Sequence, residues 1–125
     1  MHRVVFAGKI QPEERLNYYV RAFVSVLPSY PKDGRIEAWG LTVNEALEAG
    51  CPVIATDTVG SSYDLLDGKS GVQIESNNVE ALFQAIENIE VNEKTCAHCK
   101  NKGEQYSVEK MAEEFANMIR KVSTI

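Results

Sequence analysis

The sequence predicts an α/β protein, a partial doubly wound parallel sheet with helices on both faces. Three observations carry this. Strand-like and helix-like stretches alternate, the pattern of parallel strands joined by helical crossovers. Residues 22–27 and 52–56 are apolar at both odd and even positions, as strands covered on both faces must be. Two other stretches place apolar residues three and four apart, the spacing of a helix with one buried face.

Each element has its own signal. Residues 4–7 form a short apolar run stopped by Gly8 and read as a strand. Residues 12–20 read as a helix with Pro12 in its first turn, where a missing N–H costs nothing. Its Tyr18-Tyr19 pair should supply one surface ring and one core ring. After the strand at 22–27, residues 28–34 are a loop by their Pro, Asp and Gly content. A helix follows from about Gly40 to Ala49, with Val43, Ala46, Leu47 and Gly50 on one face and Pro52 beyond its end. Residues 52–56 are a buried strand, beginning next to Cys51, which reads as a small buried hydrophobe. Residues 71–75 are a shorter strand after the Asp67-Gly68 turn. Asn77 or Asn78 caps a helix carrying Val79, Leu82, Phe83, Ile86 and Ile89, and Ser107 caps a last helix with Met111, Phe115, Met118 and Val122.

Composition narrows the function. At 125 residues, with 44% hydrophobic and 25% charged residues, the chain is one ordinary globular domain or a piece of a larger one. The net charge of −5 leaves no basic stripe for a nucleic acid. A nucleotide ligand remains open, because a few backbone N–H groups can hold its phosphates. No apolar run approaches the ~20 residues that span a bilayer, and the first residues lack a signal-peptide pattern, so a cytoplasmic protein is expected. Cys96, His98 and Cys99 offer three potential ligands without a second pair, which does not make a metal site; they read as ordinary side chains of a polar helix. Asp57 ends a strand as a phosphoacceptor aspartate does, but Ala7-Gly-Lys-Ile10 lacks the acidic pair such a site needs.

Ligands of open parallel sheets bind beyond the carboxyl ends of the strands. Here those ends are Pro28-Ser29 with its loop and residues 57–62. The segment from Ile36 to Glu45 leaves one such end and enters a helix at Gly40. The free N–H groups of Gly40, Leu41, Thr42 and Val43 should face the crevice with the positive end of the helix dipole. Glycine at position 40 lets a ligand approach the backbone.

Five segments together resemble family 4 of the retaining GT-B glycosyltransferases: Val5-Phe-Ala-Gly8, Pro28-Ser29, Glu37-Ala-Trp-Gly-Leu-Thr-Val-Asn-Glu-Ala46, Gly50-Cys-Pro-Val-Ile-Ala-Thr-Asp57 and Asp67-Gly-Lys-Ser-Gly71. The resemblance runs in register over roughly residues 3–90. It implies the Rossmann-like half of a GT-B C-terminal domain, with residues 1–125 as its nucleotide-sugar-binding part. The implied reaction moves a sugar from a nucleotide diphosphate to a hydroxyl acceptor without a metal or other cofactor, the nucleotide sugar being substrate. Glu37, the first acid of the Glu-x7-Glu motif, falls where the family binds the donor sugar, and it is the implied catalytic residue. Ala38, Trp39, Gly40 and Leu41 match the stretch whose backbone N–H groups meet sugar and diphosphate, with the Trp39 ring packing under the loop. Thr42 stands where hydroxyl and N–H reach phosphate. Glu45 matches the second acid, whose two oxygens accept both ribose hydroxyls.

The family's donor domain begins well before its Val-x-Phe-x-Gly strand. The resemblance therefore places the acceptor domain, a glycine-rich turn and a diphosphate-neutralising base outside these residues. No basic residue here can be carried over into that role. Transfer needs both substrates in one closed cleft, so this chain alone is expected to be inactive, the acceptor being held by a further domain or partner chain. A non-catalytic sugar-nucleotide-binding or partner-completing module is the alternative. Peripheral membrane association of the parent enzyme stays open. Beyond Asp57 the sequence departs from the family: Gly60 is kept, and Tyr63 stands where the family has an acid.

Overall fold

The computed structural model describes residues 3–124. Its elements run α1 (Pro12–Arg21), β1 (Ser25–Leu27), α2 (Leu41–Glu48), β2 (Val53–Thr56), α3 (Ser61–Leu65), β3 (Gly71–Ile74), α4 (Val79–Asn88), α5 (Glu93–Gln105) and α6 (Val108–Ser123). The sheet is parallel, in the order β1-β2-β3, with Ser25 paired to Val53 and Val53 to Gly71. Every residue of β2 is buried. Successive side chains of a strand point to opposite faces, so both faces of the central strand are covered.

The helix signals in the sequence correspond to local chemistry. Pro12 opens α1 inside a capping box of Gln11 and Glu14. Asn78 and Ser107 accept the N–H of Ala81 and Lys110. The core gathers Val43, Ala46 and Leu47 of α2 with Cys51, Val53, Ala55, Val59, Leu65 and Cys99, and Tyr19 and Trp39 pack against it. Tyr18 is exposed, as a surface ring should be.

Two expectations are corrected. Residues 4–7 form no strand: Val5 and Phe6 are 86% and 94% exposed. An apolar run becomes a strand only when a neighbour takes its N–H and C=O groups, and among the described residues β1 pairs with β2 alone. For the same reason residues 22–27 are not a fully covered strand. Only Ser25–Leu27 is in the sheet, as its edge, and Val26 is partly exposed. Past the end of β2, Ser61–Leu65 forms the short helix α3. Among the described residues no helix is long and apolar enough to cross a membrane.

Candidate functional site

The site grows from the carboxyl ends of β1 and β2, which two hydroxyls tie together. Thr56 and Thr58 both donate to the carbonyl oxygen of Ser29, the second at 2.8 Å. This fixes the backbone of Ser29, whose own Oγ donates to Glu37 Oε2 at 2.8 Å. The chain then runs beside the loop after β2: Glu37 N–H donates to Thr58 O (3.2 Å), Gly60 N–H to Glu37 O (2.9 Å) and Ser61 N–H to Trp39 O (2.8 Å). Residues 37–39 are thereby laced to residues 58–61. Gly60 makes the approach feasible, since a Cβ there would lie 1.8 Å from Ala38 O.

Gly40 turns the chain into α2. It adopts φ +85°, a conformation disfavoured for any residue with a Cβ, and that Cβ would meet Val59 Cγ1 at 2.8 Å. Val43 N–H bonds to Gly40 O at 3.0 Å, so it is not free as the sequence suggested. The N–H groups of Gly40, Leu41 and Thr42 have no acceptor among the described residues. Three donors at the positive end of a helix form an anion-binding arrangement.

The Trp39 ring packs inward, its Nε1 donating to Asn44 Oδ1 at 2.7 Å while Asn44 Nδ2 donates to Tyr106 O at 3.1 Å. The Trp39 and Tyr106 rings stand 6.4 Å apart. Glu45, one turn into α2, faces α1: Arg15 Nη1 donates to Oε1 at 3.2 Å and Tyr19 hydroxyl to Oε2 at 3.4 Å. Burial raises the Tyr19 pKa and the Glu45 carboxylate raises it further, so the phenol stays a donor. The sequence marks Tyr19 only as one of a ring pair and does not single out Arg15, and it ties neither to Glu45. Their spacing of four on one helix face is the signal that could have paired them.

Two hollows flank this segment. One of about 520 Å³ is lined by Ser29, Tyr30, Lys32, Arg35 and Glu37, among others. The other, about 660 Å³, lies between Trp39, Leu41 and Asn44 and the start of α6. Thr42 and Glu45 line neither. The structure therefore joins Glu37 to the first hollow and Trp39 and Leu41 to the second, with the unpaired amides of the buried Gly40 and the exposed Leu41 and Thr42 between. Asp57 is engaged elsewhere, Oδ1 accepting Ser76 N–H at 3.1 Å. Cys99 is buried, His98 Nε2 sits 2.6 Å from Asp67 Oδ2, and among the described residues no three His, Cys, Asp or Glu side chains are grouped to hold a metal.

The family described as "Glycosyl transferases group 1" matches residues 1–106, most of the chain. The chain belongs to this family. It is 33% identical over 88 residues to the D-inositol 3-phosphate glycosyltransferase of Corynebacterium diphtheriae, covering 70% of this chain and 19% of that protein. It is 38% identical over 81 residues to the poly(glycerol-phosphate) alpha-glucosyltransferase of Bacillus subtilis, covering 64% and 11%. Among solved structures it matches the sucrose-phosphate synthase of Thermosynechococcus elongatus with a TM-score of 0.75 and 28% identity, over 98% of this chain and 31% of that one. The group 1 chain thus spans under a third of each of these relatives, and its fold corresponds to a Rossmann-like half of a GT-B protein. Only α6 lies beyond the family match.

Proposed function

We propose that this chain is the donor-binding part of a retaining glycosyltransferase, which moves a sugar from a nucleotide diphosphate to a hydroxyl acceptor. The observation that supports it best is the set of unpaired amides on Gly40, Leu41 and Thr42, held between two anchored acids at the carboxyl end of a parallel strand. The diphosphate takes those amides and the positive end of α2, which also stabilise charge as the diphosphate departs. Glu37, with one oxygen held by Ser29, receives sugar hydroxyls on its remaining lone pairs, beside the backbone of Ala38 and Trp39. Glu45, oriented by Arg15 and Tyr19, accepts the ribose hydroxyls. The acceptor's side of the cleft lies in further chain, consistent with the small share of each relative that these residues cover.

Calorimetric titration of uridine and guanosine diphosphate sugars tests this. The wild type should bind one of them, and Glu45→Ala should weaken that binding by at least about tenfold, the worth of a hydrogen bond to a charged group. Equal binding by the variant refutes the ribose role. No binding of either sugar to the wild type refutes donor capture by this chain.

A further inference from the structure

A small hairpin borders the hollow that Glu37 lines. Asp33 and Gly34 form its two-residue tip, with φ +55° and +73°, and Arg35 N–H donates to Lys32 O at 3.0 Å. Positive φ at both central residues is the turn that suits two closely joined antiparallel strands. Lys32 and Arg35 are accordingly paired across it as an antiparallel bridge. Residues opposed in this way send their side chains to the same face, with Cβ atoms about 5 Å apart.

Like charges set opposite each other destabilise a hairpin, and no acid of the described residues offsets these two. The ion pairs there are Arg15–Glu45, His98–Asp67, Lys102–Asp67 and Lys110–Glu113. Asp33 and Glu37 line the same hollow as Lys32 and Arg35, yet neither acid pairs with either cation. The hollow thus has two adjacent, unmatched cations on its border. An anion entering between them removes their mutual repulsion as well as gaining two charge-assisted contacts.

The rest of the lining has other uses. Glu37, with one oxygen held by Ser29, keeps lone pairs for hydroxyl donors. Tyr30 and Ile36, each more than half exposed, offer C–H groups an apolar surface. The volume of about 520 Å³ suits a small molecule. We propose that this hollow is a subsite for a sugar carrying an anionic group, a phosphate or a carboxylate. The anion lies between Lys32 and Arg35, whose guanidinium can take two of its oxygens at once, and the sugar hydroxyls meet Glu37. The nucleotide's diphosphate is not this anion, because Gly40, Leu41 and Thr42, to which it was assigned, line none of the hollow. The sugar belongs to the donor or to the acceptor. The proposal rests on the donor reading only through the hydroxyl role of Glu37.

Amide-resolved NMR titrations of the 125-residue chain, with no nucleotide present, test it. Glucose 6-phosphate should shift the amide signals of residues 32–37 and bind about tenfold more tightly than glucose or inorganic phosphate, the worth of a hydrogen bond to a charged group. Glucuronate should likewise outdo glucose. Lys32→Gln and Arg35→Gln should each weaken glucose 6-phosphate about fivefold, and as both side chains are exposed the remaining signals should stay in place. Glu37→Gln should weaken the sugar phosphate more than inorganic phosphate. No shift at residues 32–37, equal binding of glucose 6-phosphate and glucose or inorganic phosphate, or undiminished binding by a chain carrying both glutamines would each overturn the subsite. So would displacement of glucose 6-phosphate by uridine or guanosine diphosphate, which would give the two cations to the diphosphate. Nucleotide diphosphate hexuronates, titrated beside the matching hexoses, then assign the source. A tenfold preference for the hexuronate places the anion on the donor, and equal affinity places it on the acceptor. A chain that binds glucose 6-phosphate but no nucleotide sugar would refute donor capture and leave this subsite standing.

Discussion

Replacing Gly60 by alanine should loosen the whole Glu37–Gly40 segment, although position 60 contributes no side chain to any ligand. Its backbone is helical (φ −56°, ψ −45°), so alanine suffers no torsional penalty there. The cost is steric. The new Cβ would stand 1.8 Å from Ala38 O, where ordinary contact begins near 3.4 Å, so the two loops must separate by roughly 1.5 Å. Three backbone hydrogen bonds of 2.8–3.2 Å cross that gap, from Glu37, Gly60 and Ser61 N–H, and none survives such a displacement. At about 1 kcal/mol net each, the loss is about 3 kcal/mol. With a urea slope near 2 kcal/mol per M, typical for this size, the unfolding midpoint should fall by about 1–2 M. Gly68→Ala is the control. It has φ +90° but nothing within 4 Å of its Cβ, so only the positive-φ cost of about 1 kcal/mol applies. Donor affinity should fall for Gly60→Ala and hold for Gly68→Ala. If the two variants lose equal stability, the close approach of residues 38 and 60 is not what holds the loop.

Three further outcomes are expected. Burial works to raise the Asp67 pKa, but the Ser70 and Lys69 N–H groups, His98 and the Ser70 hydroxyl outweigh it and hold the carboxyl well below its usual 3.8. A depressed folded-state pKa gives stability that is present above the unfolded value and lost as pH falls through the folded one. Urea melts should therefore show Asp67→Asn trailing the wild type at pH 7 and closing on it below about pH 4; a gap that does not change with pH refutes the carboxylate's role. Trp39→Phe removes the Nε1 bond to Asn44 and should cost about 1 kcal/mol by circular dichroism melts, with no loss contradicting the bond. Iodoacetamide should label Cys96 before the buried Cys51 and Cys99, whose pKa values burial pushes up to about 11 and about 12; peptide mass spectrometry that finds Cys99 modified first would overturn the assignment of that thiol to the core.

The sequence was most readable where local chemistry and burial agree. Residues 53–56, apolar at both parities, are the fully buried strand, and Asn78 and Ser107 cap the helices their positions announced. It misled where an element depends on a distant neighbour. Residues 4–7 have strand composition, but composition cannot show whether another strand will meet them. The site divides along the same line. Glycine at 40 and the start of α2 are local facts and could be read. That Val43 N–H turns back to Gly40 O is a matter of how tightly the first turn closes, which no residue pattern records. The grip of Arg15 and Tyr19 on Glu45, and of Ser29 on Glu37, spans 30, 26 and 8 residues and exists only once the helices and strand ends are assembled. The sequence could therefore name the two acids but not what aims them. Because those partners sit on α1 and at the end of β1, the geometry of both acids depends on parts of the chain outside the motif that marks them.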